Sequence, residues 1–346
     1  MGVTIKEVAK KAGVSTATVS RVFNNVGPVD EETRRRVKEV AQALHYTPNA
    51  VGRSLSTKRT DAIGLILPDL HGEFFSEVIR GADQIAQQHR FHLLVSSSHT
   101  TRQELAEVLQ VMRGRVDGLI IMSPQIDAHT LQTNLPKSLP LILLNCHVGD
   151  DSFDAMNIDN VAGAQEMVRH LLSHGHRYIA IIKGTEKNLD AEGRLQGYRL
   201  ALRDARAEYH ESFEMTGDFT EASGYDAVKR LLDLNPRPTA IFSSNDSMAL
   251  GALSALREHD VSVPGEMALA GFDDIPIARY LSPALATVHV PIYDLGAAAM
   301  QKLIHSFTEK NNHVRKHALV PTHLVLRESC GCPKQSYQEQ INKARR

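Results

Sequence analysis

The chain has 346 residues, 42% of them hydrophobic, and this length suits about two or three domains with apolar cores. Three cysteines (Cys146, Cys330 and Cys332) are too few for a disulfide framework in so long a chain, which favours a reducing compartment. No apolar leader stands at the N-terminus, and no run reaches the roughly 18 apolar residues of a membrane span. We therefore expect a cytoplasmic protein that does not enter a membrane.

The formal net charge of −1 conceals an uneven distribution. Residues 1–60 carry 11 Lys and Arg against 5 Asp and Glu, so this segment has a charge of +6 and the remainder has −7. A basic segment on an acidic body attracts phosphate groups at one place and repels them elsewhere. The near-neutral total therefore does not exclude a nucleic-acid partner.

The N-terminal segment has the pattern of two short helices joined by a tight turn. Apolar residues recur at helical spacing over Ile5–Ala12, Gly13 permits a sharp turn, and Ser15 can cap the next helix. The second helix buries Val19 and Val22. The residues that remain on its outer face are Thr16, Ala17, Ser20 and Arg21. This pattern predicts a helix-turn-helix, whose second helix enters the major groove of DNA.

A third helix is predicted from Asp30 to about Leu44, with an apolar stripe of Val37, Val40, Ala41 and Leu44. The run Arg34-Arg35-Arg36 on this helix forms a solvated face or brings one guanidinium to a phosphate, and both interpretations stay open. A short helix is predicted over Asn49–Ser56. Its length and Gly52 make it marginal without a partner.

From Ala62 onward, short apolar runs alternate with amphipathic helical stretches, as in sheets that are buried on both faces. The apolar runs are Ala62–Leu67, Leu93–Val95, Gly118–Met122, Leu141–Leu144, Tyr178–Ile182, Ala240–Phe242 and Leu269–Phe272. The helical stretches include Phe74–Gln88, Gly163–His174 and Ser247–His259. The fold class predicted is thus a small all-α helix-turn-helix head plus an α/β body of two doubly wound parallel-sheet subdomains.

Polar residues follow the apolar runs, at the carboxyl ends of the strands where open α/β sheets bind ligands. They include Asp69, Asn145, Asn245 and Asp273, and the loop after Ile182 leads to Arg194. Together with aromatic faces such as Phe74 or Phe75, these groups suit a polyhydroxylated ligand. The spacing does not decide which of the two rings faces the cleft. Asp246 and Asp274 are interpreted as caps of the helices that follow them.

Other chemical constellations are weak in this sequence. The H-x3-H-x-H spacing of His170, His174 and His176 could suggest a metal site, which we do not expect here, and the Cys330-x-Cys332 pair is short and lacks partners for zinc. No phosphate-binding loop or nucleophile elbow occurs. We therefore expect no metal, no cofactor and no enzymatic activity.

The segment Thr4–Val22 resembles the N-terminal signature of the LacI/GalR (lactose-repressor) family, T-I-x-x-V-A-x-x-A-G-V-S-x-x-T-V-S-R-V. The resemblance continues through Val29–Arg34 and Tyr46–Leu55. It implies a homodimer that binds a pseudo-palindromic operator, with a hinge helix whose Leu55 wedges into the minor groove at a central CG step. A contact of Leu55 with the body remains the alternative. The DNA-binding residues expected are Thr16, Ala17, Ser20, Arg21, Asn24, Asn49, Arg53 and Leu55.

The resemblance also implies the fold of periplasmic sugar-binding proteins, with three crossovers near Asn157–Asp159, Thr287–Val290 and Pro321–His323. The family's effector-binding positions correspond to Arg194 in R-L-x-G, Asn245 in S-N-D-x-M-A-x-G and Asp273 in G-F-D-D. Asn145 and Asp69 match more loosely, and Phe219 aligns with an aromatic residue that stacks on ligand in some members. The effector-binding residues expected are Asp69, Phe74, Phe75, Asn145, Arg194, Phe219, Asn245 and Asp273.

We therefore expect a transcriptional repressor controlled by a small molecule, a sugar or sugar derivative, bound between the two subdomains. The expected domains are a helix-turn-helix over 1–47, a hinge and linker over 48–60, a bilobal effector-binding and dimerisation domain over 61–330 and a disordered tail over 331–346. A catabolite-control regulator driven by a phosphorylated carrier protein is the alternative. A plain sugar-binding protein is a further alternative, disfavoured by the head.

Overall fold

The structure, a computed structural model, describes residues 3–24, 26–47, 59–98, 101–123, 126–136, 138–146, 148, 153–308 and 317–332. They form two compact units, one of residues up to 62 together with 114–117 and one of the remainder. Within these ranges, no helix has the length and apolar character that crossing a membrane requires.

The smaller unit contains three helices, α1 (Ile5–Ala12), α2 (Thr16–Asn24) and α3 (Glu31–Ala43). Gly13 ends α1 in the left-handed conformation, with φ 67°. Ser15 Oγ accepts the backbone N–H of Thr18 at 3.1 Å, and Asp30 Oδ1 accepts that of Thr33 at 2.8 Å. These caps satisfy backbone donors that a helix leaves unpaired at its start. The predicted turn and both predicted helix starts are confirmed.

A single apolar cluster holds the three helices together. Its buried members are Val8, Ala9, Ala12, Val19, Val22, Val37 and Ala41, and Ile5, Val40 and Leu44 pack against them. The predicted stripes are therefore confirmed. Arg34 and Arg35 each approach a glutamate of α3, at 3.5 and 3.7 Å. Arg36 Nε donates to the carbonyl oxygen of Ala12 at 3.1 Å and so ties α3 to α1.

The larger unit consists of alternating strands and helices. In chain order they are β1 (Ala62–Leu67), α4 (Glu73–Gln88), β2 (His92–Ser97), α5 (Arg102–Met112), β3 (Gly118–Ile121), α6 (Ala128–Asn134), β4 (Leu141–Leu144), β5 (Asp154–Ile158), α7 (Asn160–Ser173), β6 (Ile179–Lys183), α8 (Leu189–Asp204), β7 (Glu214–Thr216), α9 (Glu221–Leu232), β8 (Ala240–Ser243), α10 (Asp246–Glu258), β9 (Ala268–Asp273), β10 (Ala286–His289), α11 (Ile292–Ser306), β11 (His317–Val320) and β12 (His323–Val325). Three 3-10 turns lie at Glu211–Phe213, Pro276–Tyr280 and Glu328–Cys330.

The strands form two six-stranded sheets, which define a first and a second lobe. The first sheet has the order β11-β5-β4-β3-β1-β2 and the second the order β12-β10-β9-β8-β6-β7. The prediction of two parallel sheets holds except at one edge. β12 pairs antiparallel with β10, with Thr287 opposite Val325. This short edge strand has only three residues, so its sequence carries too little periodicity to be recognised.

The chain passes between the lobes three times. It leaves the first sheet after β5 and enters α7, which packs on the second sheet; it returns between β10 and α11; and it crosses once more between β11 and β12. These passages fall at residues 158–160, 289–292 and 320–323, where the three crossovers are predicted. The crossovers are confirmed.

Helices α4 and α11 of the first lobe approach each other closely enough for their backbones to touch. A Cβ on Gly81 would lie 2.0 Å from the carbonyl oxygen of Tyr293, and one on Gly296 would lie 2.2 Å from that of Val78. Any larger residue must push the two helices apart, because the obstacle is backbone rather than a movable side chain. The close approach of this helix pair therefore depends on glycine.

Substitution Gly81→Ala should destabilise the larger unit by about 1–3 kcal/mol, the usual cost of overpacking a core. We expect the melting temperature to fall by several degrees in a thermal-shift assay. Gln84→Ala, on an exposed position of the same helix, is the matched control and should leave it within about 0.5 kcal/mol of wild type. Equal melting temperatures for the two variants would contradict the close approach.

Candidate functional site

The outer face of α2 carries the side chains expected to meet DNA bases. Thr16, Ala17 and Arg21 are exposed, whereas Ser20 and Asn24 are half-buried. Asn24 Nδ2 donates to Ser20 Oγ at 3.1 Å, so these two polar groups already satisfy each other along the helix. The free surface for base contact consists of the first turn of α2 and the guanidinium of Arg21. The remaining predicted DNA-binding residues, Asn49, Arg53 and Leu55, lie outside the described residues.

A second site is built around Arg194 on α8, which is only 4% exposed. Its Nε donates to Asn160 Oδ1 at 2.8 Å, its Nη1 donates to the carbonyl oxygen of Ser244, and its Nη2 lies 3.1 Å from Asp273 Oδ1. Its Cζ stands 3.9 Å from the centre of the Phe272 ring. One guanidinium thus joins the start of α7, the residue after β8 and the end of β9.

Asp273 is the carboxylate of this cluster. Burial raises its pKa to about 7, Arg194 acts in the opposite direction, and Asp190 raises it further. Its backbone has a φ of 107°, a conformation that residues other than glycine rarely adopt. A strained, buried carboxyl group with a pKa near neutrality is typical of ligand-binding sites. It can donate or accept a hydrogen bond according to its protonation.

Asn245 and Phe219 form a neighbouring pair in the same lobe. Asn245 Oδ1 accepts the backbone N–H of Met248 at 2.9 Å, which caps α10, and its Nδ2 donates to the carbonyl oxygen of Phe219 at 3.0 Å. Phe219 has a φ of 71°. Its ring lies against Gly184, where a Cβ would stand 2.1 Å from ring Cζ. The side chain of Asn245 therefore holds the loop after β7, and this loop places the Phe219 ring beside Gly184 at the end of β6.

Asp69 and Asn145 follow strands of the first lobe. Asp69 is exposed, and its Oδ1 accepts the backbone N–H groups of Leu70 and His71 at 2.6 and 3.0 Å. Asn145 is buried and its Oδ1 accepts the N–H of Ile158 at 2.8 Å, which links the ends of β4 and β5. Both side chains use an oxygen to shape their own loops. Both belong to the first lobe, whereas Arg194 belongs to the second.

Phe74 and Phe75 are both half-buried, and their rings meet edge to face with centres 5.4 Å apart. Both also pack against the main apolar core. The preceding residue, Glu73, accepts the backbone N–H of Ile277 through Oε2 at 3.0 Å. This bond joins α4 of the first lobe to the turn that follows β9 of the second. The start of α4 is thus a place where the two lobes touch.

The predicted capping roles of Asp246 and Asp274 are wrong. Asn245 caps α10, whereas Asp246 is fully buried and accepts Thr287 Oγ1 at 2.6 Å and the N–H of Ile275 at 2.9 Å. Burial raises the pKa of Asp246 well above its usual value. The Asp246 carboxyl group therefore links β10 to the turn that follows β9.

Asp274, in the turn after β9, also bonds to residues that are distant in the sequence. Its Oδ2 lies 2.9 Å from His289 Nδ1, and its Oδ1 accepts Arg327 Nη2 at 2.6 Å. Burial acts to raise the pKa of Asp274, but the bonds from His289 and Arg327 hold it below its usual value. The helix-capping prediction failed because these partners come from elements distant in the sequence.

Sequence reasoning missed three residues of the Arg194 cluster. Asn160 and Asp190 are bridged by a hydrogen bond of 2.7 Å from Asn160 Nδ2 to Asp190 Oδ1, and Phe272 supplies the ring beneath the guanidinium. Asn160 begins the helix that follows the first crossover, so a polar residue at that point was the available signal. Phe272 belongs to a buried strand and gave no signal distinct from the core.

The sequence judgement that Cys330 and Cys332 lack partners for a metal is also wrong. His170 lies on α7, and its Nε2 stands 3.4 Å from Cys330 Sγ and 3.5 Å from Cys332 Sγ. His174 Nε2 is 3.8 Å from Cys332 Sγ. The helix and the segment after β12 meet only in three dimensions, so the spacing in the sequence could not show it. His176 instead approaches Thr239.

The chain is similar to known proteins over most of its length. A family model described as bacterial regulatory proteins, lacI family, matches residues 4–49, and one described as a periplasmic binding protein-like domain matches 168–330. Catabolite control protein A of Priestia megaterium is 33% identical over 331 residues, which cover 95% of this chain and 99% of that protein.

Solved structures give the same result for the fold. A complex of the transcriptional regulator CelR with cellobiose has a TM-score of 0.71 at 30% identity, covering 94% of this chain and 99% of that one. The lac repressor dimer bound to operator and an anti-inducer has a TM-score of 0.82 at 27% identity, covering 95% and 99%.

Asp273 should make the stability of the larger unit depend on pH. Its pKa in the folded chain is raised to about 7, so between the unfolded value and pH 7 the folded state holds a proton that the unfolded state has released. Stability should therefore fall as the pH rises from about 5 to 7. Asp273→Asn should make this decline shallower in melting temperatures measured across that range, and Asp246, whose pKa is also raised, should account for the remaining slope.

Asp127→Asn in the first lobe is the control, because the pKa of Asp127 is lowered and the group is ionised in both states throughout this range. It should lower stability without changing the slope. If Asp273→Asn kept the wild-type slope, the assignment of a raised pKa to Asp273 would fail.

Proposed function

Since this chain belongs to the LacI family of bacterial regulatory proteins and is a DNA-binding transcription regulator rather than an enzyme, we propose that a sugar-like effector controls its affinity for a pseudo-palindromic operator. The chain acts as a homodimer, and the effector is a small molecule. The observation that carries the proposal is the buried Arg194–Asp273 pair at the carboxyl ends of the second sheet.

The basic head supplies the DNA-binding half of the proposal. The exposed face of α2 offers Thr16, Ala17 and Arg21, and Arg21 has the fork of donors that matches O6 and N7 of guanine. Two heads in a dimer would contact two half-sites. Asn49, Arg53 and Leu55 are assigned to the hinge on the strength of the family signature, with Leu55 as the minor-groove wedge.

Hydroxyl recognition is the effector half of the proposal. Asp273 and Arg194 present a carboxyl oxygen and guanidinium donors, and the Phe219 ring offers an apolar face that suits the C–H surface of a sugar. Asn245 holds the Phe219 loop through its side-chain amide. The CelR complex with cellobiose, a relative with a bound sugar, supports the same class of ligand.

The effector would act by favouring one arrangement of the two lobes. Asp69, Phe74 and Asn145 belong to the first lobe, whereas Arg194 and Asp273 belong to the second. A ligand that contacts both groups binds the closed arrangement better than the open one. It can shift operator affinity only by that difference in affinity, and operator DNA must shift effector affinity by the same factor.

A protein partner is the second candidate for the controlling signal. The similarity to catabolite control protein A favours it. A phosphorylated carrier protein would bind outside the cleft, so substitutions at Arg194 would leave its effect on operator binding intact. The two candidates therefore differ in one measurable respect.

Arg21→Ala should weaken operator binding by about 1–3 kcal/mol and relax sequence preference at the base pair that Arg21 contacts. The measurement is a binding titration against a randomised operator library, followed by sequencing of the bound fraction. Lys38→Ala removes the same charge from an exposed position of α3 and serves as the control. An unchanged preference profile in Arg21→Ala would remove Arg21 from the recognition surface.

Asp273→Asn should abolish the thermal stabilisation that a matching sugar gives to the wild-type chain. A ligand at 100 times its Kd stabilises the folded state by about 2.7 kcal/mol, which raises the melting temperature by several degrees. The assay is a thermal-shift screen of sugars, sugar phosphates and nucleobases. Arg194→Gln should also lose the response, because it removes the donors that flank Asp273.

Arg199→Gln is the control for Arg194→Gln. Arg199 lies on the same helix, is half-exposed, and pairs with Glu214 at 2.7 and 2.8 Å instead of with the cluster. It should respond to the sugar as wild type does. If regulation of operator binding survived in Asp273→Asn, the cleft would not carry the signal and the protein-partner hypothesis would stand.

A further inference from the structure

Three side chains that bind transition metals, His170, Cys330 and Cys332, meet on the second lobe, away from the Arg194 cluster. A fourth, His174, lies beside Cys332. Ser329, next to Cys330, donates from Oγ to the carbonyl oxygen of Leu269 at the start of β9. The cluster therefore lies near the amino end of β9, whereas Asp273 lies at its carboxyl end. It belongs to neither the DNA-binding face nor the effector site.

The distances match those between the ligands of one tetrahedral metal ion. With Zn–N near 2.0–2.1 Å and Zn–S near 2.3 Å, a tetrahedral angle places a nitrogen and a sulfur ligand about 3.5 Å apart. His170 Nε2 is 3.4 Å from Cys330 Sγ and 3.5 Å from Cys332 Sγ, and His174 Nε2 is 3.8 Å from Cys332 Sγ. The ligand atoms of His170 and the two cysteines all lie within 4.8 Å of one another.

The local backbone brings both pairs of ligands to one point. His170 and His174 are four residues apart at the end of α7, so their rings lie on the same side of the helix, with centres 4.4 Å apart. The cysteines are separated by a single residue, which is shorter than the usual spacing of zinc cysteines. Gly331 between them has a φ of 86°, and this left-handed conformation turns the chain so that both sulfur atoms face His170.

The burial of the cluster also suits a metal site. Cys330 is buried, and His170 and Cys332 are half-buried. His174 is exposed and leaves a path by which an ion can enter.

We propose that His170, His174, Cys330 and Cys332 bind one Zn²⁺ ion with tetrahedral N₂S₂ coordination. This ligand set and geometry are those that zinc prefers among the divalent ions of the first transition row. Both thiols lose their protons to solvent on binding, and no electron transfer takes place. The ion clamps the segment that follows β12 to the end of α7, and its role is structural.

The test uses the full-length chain without an affinity tag, purified in the presence of a phosphine reductant. After dialysis against zinc and gel filtration, elemental analysis should find one zinc ion per chain in the wild type. Cobalt substitution should give the strong visible bands of tetrahedral Co²⁺ together with a thiolate-to-metal charge-transfer band. Both signals should be lost in Cys332→Ser. In His174→Ala, the affinity for the metal ion should fall at least tenfold.

Two control variants separate this site from adventitious binding by other cysteines and histidines. Cys146→Ser removes a buried thiol of the first lobe, and His176→Ala removes the neighbouring imidazole that approaches Thr239 at 3.0 Å. Both should keep the zinc. A chelator should lower the melting temperature of wild type and of both controls, and should not change that of Cys332→Ser.

The proposal is overturned if wild type holds no more zinc than Cys332→Ser, or if Cys332→Ser gives the cobalt bands of wild type. It is also overturned if intact-mass measurement finds Cys330 and Cys332 joined as a disulfide in the reduced preparation. Operator binding and sugar response do not enter these measurements, so the outcome is independent of the proposed function.

Discussion

The proposed effector site depends on the requirement that the donors of the buried Arg194 guanidinium find acceptors. A guanidinium removed from water costs several kcal/mol unless its donors are satisfied, and this one is 4% exposed. Asn160 and the carbonyl oxygen of Ser244 accept hydrogen bonds from it, Asp273 forms an ion pair with it, and Phe272 covers its face. Three separate elements therefore have to be in place before Arg194 can be buried.

The same requirement connects the site to the crossovers. Asn160 is the first residue of α7, immediately after the chain leaves the first sheet, and it holds both Arg194 and Asp190. A change in the angle between the lobes acts on the residues at 158–160 and so on the partner of the guanidinium. The hydrogen bond from Ile277 N–H to Glu73 adds a second link between the lobes. The Arg194 cluster and the first crossover thus share Asn160, so an effector bound at this cluster, as proposed, would act on a residue of the crossover.

Local patterns in the sequence were sufficient for the head and for most of the sheets. The caps at Ser15 and Asp30 and the apolar runs of the strands are determined by residues within a few positions of each other. The predictions that failed were those that depend on contacts between residues distant in the sequence. The partners of Asp246 are Thr287 and Ile275, and those of Cys330 come from α7. No spacing rule can show a contact between residues that only the tertiary fold brings together.

The hydrogen bonds of Asp246 support the turn that carries Asp273 and Asp274. Asp273 and Asp274 have φ values of 107° and 58°, conformations that cost of order 1–3 kcal/mol each unless the surroundings impose them. Asp246 supports these backbone conformations by accepting the N–H of Ile275, and Arg327 donates a hydrogen bond to Asp274. The strained turn is thus fixed before any ligand arrives. A ligand that meets Asp273 need not order it, and its binding free energy remains available to change the arrangement of the lobes.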